Sequence, residues 1–331
     1  MIPPADGAPQ LFDAAGLALA ADQPSDAPFA QLALDESPYA MHRRASLEFA
    51  FRLAGASRET LAKGLHHERW GQHVGAFAQL LALGLFARQG FAVQSEPEIG
   101  AQTPDLQIER DGDSALVEVR AITGCGQTPW EDAPHAPAEE LPPLPRGLSK
   151  AAAAKQMRQR ARRRAALQAE AERGADQDLD KTVLRVLEKK AAAYRDVCAE
   201  WELPYIIALY EDSDRRLSQI VRAWAYGDGD RELDPHGTPR SVHDPHDGAF
   251  FGDRYHFSHV SAVLIFGREA ETQNQLLLRG DLLLNPFADE PLPDAWSFPQ
   301  LRHYRLRKNE TPPRMRWSPY EAAPFALVSA G

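Results

Sequence analysis

Cysteine is scarce in this chain, with only Cys125 and Cys198 among 331 residues. Two thiols make no disulfide framework and fit a reducing, cytoplasmic compartment. No apolar run reaches the length needed to span a membrane, and the opening segment MIPPADGAPQLFDAAGLALAADQ has no basic region ahead of its apolar patch, so no secretory signal is expected. An excess of cations is also missing. The formal net charge of -10 disfavours indiscriminate adhesion to nucleic acid while leaving room for a local basic patch. What is present in quantity is apolar residues, 44% of the chain, enough for a real core in two domains or in one domain with extensions.

The most informative stretch is TPDLQIERDGDSALVEVRAI, from Thr103 to Ile122. Alternating apolar residues flank a tight turn at Asp111-Gly112-Asp113-Ser114, which predicts a β-hairpin. Neighbouring residues on a strand point to opposite faces. Leu116, Glu118, Arg120 and Ile122 therefore share one face of the second strand, and Val117, Val119 and Ala121 the other. Asp105, at the start of the first strand, comes within reach of Glu118. Two carboxylates beside a cation are a way to hold Mg2+ or Mn2+ next to a phosphate, because Mg2+ takes one or two protein carboxylates and fills its other positions with water and substrate oxygens. A surface hairpin with solvated charges is the alternative.

Pro104-Asp105, a spacer of about a dozen residues and Glu118-Val119-Arg120 resemble the PD-(D/E)XK nuclease signature, with arginine in place of its last lysine. More narrowly, the chain from about Gln72 to Pro293 is similar to a group of uncharacterised bacterial proteins that carry an Asn-Pro-Phe/Trp-Ala segment, here Asn285-Pro286-Phe287-Ala288. The resemblance implies an α/β, restriction-endonuclease-like core: a helix, the hairpin, a second helix and a further strand, in a mixed sheet flanked by helices. It implies a metal-dependent nuclease acting on nucleic acid, DNA foremost. Asp105, Glu118 and the Val119 carbonyl would hold the metal, and Lys190 with Arg120 would face the charge developing on the phosphate. The related proteins carry a glutamate on the first helix where this chain has Gln79, a residue suited to orienting a metal-bound water. Glu68 is a second candidate for the missing acid, or simply an exposed helix start.

Along the chain, residues 1–64 are expected to form a helical extension whose first 40 residues, rich in Pro, Ala and Asp, read as a mobile or loosely packed arm. Residues 65–225 would hold the core, beginning with an apolar helix that stops at Gly90. Within it, 123–148 read as a Pro-rich loop, a lid or a tolerated insertion. Residues 150–173 read as a basic helix carrying Lys150, Lys155, Arg158, Arg160, Arg162, Arg163 and Arg164, which either contact phosphates or present a solvated face. On the next helix Val183, Leu187, Tyr194, Val197 and Trp201 mark an apolar face, and Lys190 falls in register with them while Lys189 does not. A lysine there needs a counter-charge, and Asp105/Glu118 supplies one; snorkelling from the stripe's edge is the alternative. The resemblance makes Lys190 the displaced catalytic lysine.

YIIALY, Tyr205 to Tyr210, reads as a buried central strand. In 226–331, the histidines His236, His243, His246, His256 and His259 suggest a metal-binding or mobile loop, the latter favoured by intervening Pro and Gly. VSAVLIFG and NQLLLRGDLLLNPFA read as antiparallel strands at the sheet edge, and Arg302 to Arg316 as a basic patch or a solvated tail. The rival function is a catalytically inactive nuclease-like module that binds nucleic acid or a protein partner, favoured by Gln79 and by Arg120, whose guanidinium keeps its proton at neutral pH. Cutting both strands of a duplex would favour a homodimer. No membrane partner is expected.

Overall fold

Asp111 and Gly112 both take left-handed backbone, φ +57° and +90°, as a two-residue type I′ turn requires. From that turn strands β2 (Leu106–Arg110) and β3 (Asp113–Ile122) run antiparallel, with Arg110 opposite Asp113 and Leu106 opposite Val117. The connection is thus two residues shorter than the four-residue turn read from the sequence, since Asp113 and Ser114 are already paired. β1 (Ala92–Ser95) lies along the outer edge of β2.

The computed structural model describes residues 10–25, 27–122, 181–211, 216–227, 230–233, 239–243, 248–250, 257–272, 275–299, 301–307, 314–318 and 325–326. The chain forms two compact units, Met1–Ile122 with Val186–Gly331, and Thr123–Arg185; of the second, only helical residues 181–185 are described. The Pro-rich segment 123–148 and the basic segment 150–173 lie outside the described residues.

β3 pairs in parallel with β4 (Tyr205–Glu211), and β4 in parallel with β7 (Ala262–Thr272). β7 turns back into antiparallel β8 (Gln275–Leu284). The sheet then continues through β9 (Arg302–Arg307), β10 (Arg314–Ser318), β6 (Pro239–His243) and β5 (Asp230–Leu233), with β11 (Phe325–Ala326) paired to β8, eleven described strands in all. The protein is therefore of α/β class, with a mixed sheet flanked by helices. The unbroken apolar run of β4 follows from its place between two parallel neighbours, covered on both faces.

One face carries α5 (Trp70–Arg88), whose Phe77, Ala78, Leu80, Leu81 and Leu85 pack on Val117, Val119, Ile206 and Ala208. Gly90, at φ +88°, follows its end. Against α5 lie α3 (Pro38–Leu53) and α4 (Arg58–Leu65), preceded by α1 (Ala14–Asp22) and α2 (Pro28–Leu34). The loosely packed arm is overturned from residue 10 onward, for Leu11, Ala20 and Phe29 are core residues. The residues that suggested looseness are helix starts: Asp13 caps α1 through Gly16 N, and Pro28 and Pro38 occupy first helical positions.

Residues 181–193 form α6, and the other face carries its part from Val186 onward, then α7 (Arg195–Trp201) and α8 (Arg216–Tyr226). Of the apolar stripe read from the sequence, Val183, Leu187, Tyr194 and Val197 are buried, and Trp201 is not. The helix is interrupted at Tyr194, φ -113°; Val197 and Cys198 beyond it remain buried, and Trp201, at the last position of α7, is 51% exposed. Among the described residues no helix is long and apolar enough to cross a membrane.

Three further expectations change. β7 and β8 lie inside the sheet, because 302–318 supply two more strands beyond them. Arg302 is no tail residue: its guanidinium grips buried Asp281 with Nε–Oδ1 at 2.7 Å and Nη2–Oδ2 at 3.0 Å, while Ser218 Oγ donates to Asp281 Oδ2 at 2.7 Å. The histidine segment holds strands β5 and β6, with His243 on β6; His259 is buried, and His236, His246 and His256 lie outside the described residues.

Asp281→Ala would leave the Arg302 guanidinium largely buried without its counter-charge, an arrangement that costs about 3–5 kcal/mol. Urea unfolding is expected to show a loss of that size, most of it recovered in Asp281→Leu/Arg302→Leu.

Candidate functional site

Asp105 immediately precedes β2, so the register that sets Leu106 opposite Val117 carries Asp105 to the level of Glu118. Its backbone is held from two sides. Glu96 N–H donates to the Asp105 carbonyl at 2.9 Å, and Gln79 Nε2 donates to the same oxygen at 3.3 Å. Its carboxylate turns to β3, where Oδ2 accepts the Val119 N–H at 2.7 Å. β2 has run out at this level, so the carboxylate satisfies an amide that a longer strand would have paired. N–H and C=O of one strand residue leave on the same side, which directs the Val119 carbonyl towards Asp105 too.

Glu118 sits on the opposite face of the sheet from α5, on the face shared with Tyr205 and Ile207. It is 5% exposed. Lys190 Nζ donates to its Oε1, forming an ion pair in which the lysine side chain is 24% exposed and the glutamate 7%. Glu118 Oε2 is buried without a hydrogen-bond partner. Lys190 arrives there because Leu187, Ala191 and Tyr194 turn α6 onto the sheet, while Lys189 is exposed. Tyr194 OH reaches the Thr103 carbonyl at 3.3 Å, tying the helix to the segment that leads into Asp105.

The site is under-neutralised, with two carboxylates facing one ammonium. Burial first, and then the charge of Glu118, push the Asp105 carboxyl up to about 7; the Val119 amide and Lys190 oppose the rise, and Glu96 adds to it. Burial and Glu118 hold the Tyr194 phenol far above its ordinary value, so it stays a neutral donor. A cation that completes the orphaned Glu118 Oε2 and the Asp105 charge suits this donor set, which is all oxygen, as Mg2+ and Mn2+ require. Among the described residues no three His, Cys, Asp or Glu side chains gather as ligands, so a bound ion would rest on the carboxylate pair and the Val119 carbonyl.

The structure thus brings together Asp105, Glu118, Val119 and Lys190, residues spread over 86 positions of chain. It gives Gln79 a different role from orienting water: its amide NH2 fastens the Asp105 backbone, because α5 lies on the far face of the sheet from Glu118. Arg120 is exposed two residues beyond Glu118, and Glu68 is exposed ahead of α5. Lys150, Lys155, Arg158, Arg160, Arg162, Arg163 and Arg164 lie outside the described residues. Glu96 is an addition that the sequence did not announce. It takes φ +48°, unusual for a non-glycine residue, and its charge bears on Asp105.

No protein-family model, curated protein or solved structure matches the chain.

Because its carboxyl titrates near 7 when folded and near 3.8 otherwise, Asp105 binds a proton in the folded state between those values that the unfolded chain lacks. Stability therefore falls as pH rises through that interval. In metal-free buffer Asp105→Asn, which keeps an oxygen for the Val119 amide, is expected to raise Tm by at least about 4 °C at pH 8, with the gain vanishing towards pH 4. Differential scanning calorimetry at the two pH values checks both size and sign.

Proposed function

We propose that the protein is a metal-dependent nuclease of PD-(D/E)XK type that hydrolyses phosphodiester bonds of nucleic acid, with DNA the favoured substrate. The observation that carries this is the meeting of Asp105, Glu118 and Lys190 at one buried point where a carboxylate oxygen has no partner. The chain order supports it: α5, the β2–β3 hairpin, α6 with α7, and parallel β4 follow one another as a restriction-endonuclease-like core would have them.

In this reading Asp105, Glu118 and the Val119 carbonyl hold Mg2+ or Mn2+, which when bound supplies Lewis acidity and a water of lowered pKa. The surrounding residues exclude bulk water and fix direction. Lys190, a compact cation at the edge of the buried pocket, turns from Glu118 towards the incoming phosphate and stabilises the charge that develops on its oxygens. Arg120, exposed on the same strand face, meets the phosphate backbone from the solvent side. Tyr194 keeps its proton and holds the Thr103 segment, so that Asp105 does not swing away when the charge at the site changes. Lys150, Lys155, Arg158, Arg162, Arg163 and Arg164 supply the positive charge for backbone contact that the acidic chain otherwise lacks.

A second reading, a nuclease-like module that binds without cutting, is favoured by the same ion pair: Lys190 already neutralises one carboxylate, and Gln79 adds no charge.

Asp105→Ala and Glu118→Ala are expected to abolish Mg2+- or Mn2+-dependent cleavage of plasmid and single-stranded DNA while the fold is retained, and Lys190→Ala to lower kcat by about 10²–10³-fold. Equal cutting by all three and the parent would remove the site. DNA retention with neither cleavage nor a calorimetric metal signal in the parent would select the binding module.

Replacing Arg158, Arg162, Arg163 and Arg164 with alanine should reduce the slope of log K against log salt by up to about 0.9 for each phosphate of duplex DNA that is no longer neutralised. Fluorescence anisotropy between about 50 and 200 mM salt, the range over which phosphate neutralisation dominates affinity, measures it.

A further inference from the structure

Lys190 lies in the last full turn of α6, and the helix breaks four residues later at Tyr194. The final carbonyls of a helix lack intrahelical amides and need other donors. Two of them here receive side chains from distant parts of the chain. Tyr205 OH donates to the Lys190 carbonyl at 3.1 Å, and His259 Nε2 meets the Ala191 carbonyl at 2.6 Å. A carbonyl only accepts, so the ring proton sits on Nε2. Burial pushes the His259 pKa down, keeping the ring neutral at pH 7. Both side chains are buried.

The turn that presents His259 is itself held. Asn285 Nδ2 donates to the Phe257 carbonyl at 3.1 Å and to the Val260 carbonyl at 2.9 Å, one at each end of the turn, from a position 4% exposed. Asn285 Oδ1 accepts the Phe287 N–H at 3.0 Å, which closes its own Asn-Pro-Phe turn. Ser261, next after Val260, locks the turn to β4: its N–H donates to the Tyr205 carbonyl and its Oγ accepts the Tyr205 N–H, both at 2.8 Å.

We propose that Asn285, His259 and Tyr205 form a positioning relay that sets Lys190 on Glu118. Asn285 shapes the 257–260 turn, the turn presents His259, and Tyr205 with His259 grips the end of α6 at two successive carbonyls, those of Lys190 and Ala191. None of the three touches the carboxylates with its polar atoms; they act through the lysine. The Asn-Pro-Phe-Ala segment, far from the hairpin in sequence, is thereby part of the site's support. The relay rests on Lys190 being the working cation of the proposed nuclease, and its test is built to separate the two.

The measurement is the acylation rate of Lys190 by an N-hydroxysuccinimide ester of acetate, read by mass spectrometry as a ratio to exposed Lys189 in the same molecule, beside kcat and KM for plasmid cleavage. His259→Leu is expected to raise the Lys190:Lys189 ratio about tenfold, as an ammonium no longer seated on Glu118 becomes free to meet the ester, and to lower kcat by about 10–100-fold with KM unchanged, the range lost when a group that orients a working residue is removed. His259→Gln, whose amide nitrogen stands where Nε2 stood, restores both. Tyr205→Phe, which removes a single oxygen, is read the same way and serves if His259→Leu does not fold. An unchanged ratio in His259→Leu or Tyr205→Phe overturns the relay whatever cleavage does. A ratio that shifts in the variants while the parent itself never cuts supports the relay and removes the nuclease instead.

Discussion

A carboxylate buried in the middle of a strand is the constraint around which this protein is arranged. Glu118 lies between β2 and parallel β4, with helices over both faces of the sheet, so water cannot solvate it and the chain must bring a counter-charge. That requirement accounts for Lys190 on the sheet-facing side of α6 and for the helix carrying it across that face. The exposure is asymmetric: the carboxylate is dry and the ammonium stands at the edge. Such a lysine can respond to a charge arriving from solvent without first being dug out of the core.

Two buried ion pairs in the sheet differ in a way that separates structure from chemistry. At β8–β9 one carboxylate meets one guanidinium in a two-point grip, with the Ser218 hydroxyl completing Asp281. Charge and hydrogen bonding are both satisfied there, as in a pair whose task is to fasten strands. At the hairpin two carboxylates share one ammonium, one oxygen has no partner, and the Asp105 carboxyl is driven upward. An unbalanced buried site lowers stability unless another ligand completes it, and perturbed groups of this kind concentrate at functional sites.

The hairpin is readable because its signals are local. A turn dipeptide between alternating apolar residues specifies strand, turn and face within about twenty positions, and the placement of Glu118 and of Lys190, though not Lys189, towards the interior follows from strand and helix periods alone. β4 is equally plain, since only a strand covered on both faces tolerates six apolar residues in succession. The arm before residue 40 and the segment after residue 300 mislead for one reason. Their composition is that of loose chain, whereas Asp13, Pro28 and Pro38 start helices and Arg302 has a buried partner twenty-one residues away. Trp201 escapes the periodicity argument because that argument assumes one unbroken helix, whereas α6 gives way to α7 at Tyr194 and Trp201 stands at the last position of α7.

The sequence alone determined α5, the β2–β3 hairpin and β4, and which side of the hairpin and of α6 turns inward, because these depend on interactions within a few residues. It also identified Asp105, Glu118 and Lys190 as chemically capable groups. Only the tertiary structure decided that they meet, that Gln79 serves the Asp105 backbone, that one carboxylate oxygen is left over, and that Asn285 and His259 stand behind the lysine. Each of those facts depends on a pairing between parts of the chain far apart, and no spacing rule encodes which distant donor reaches which carbonyl.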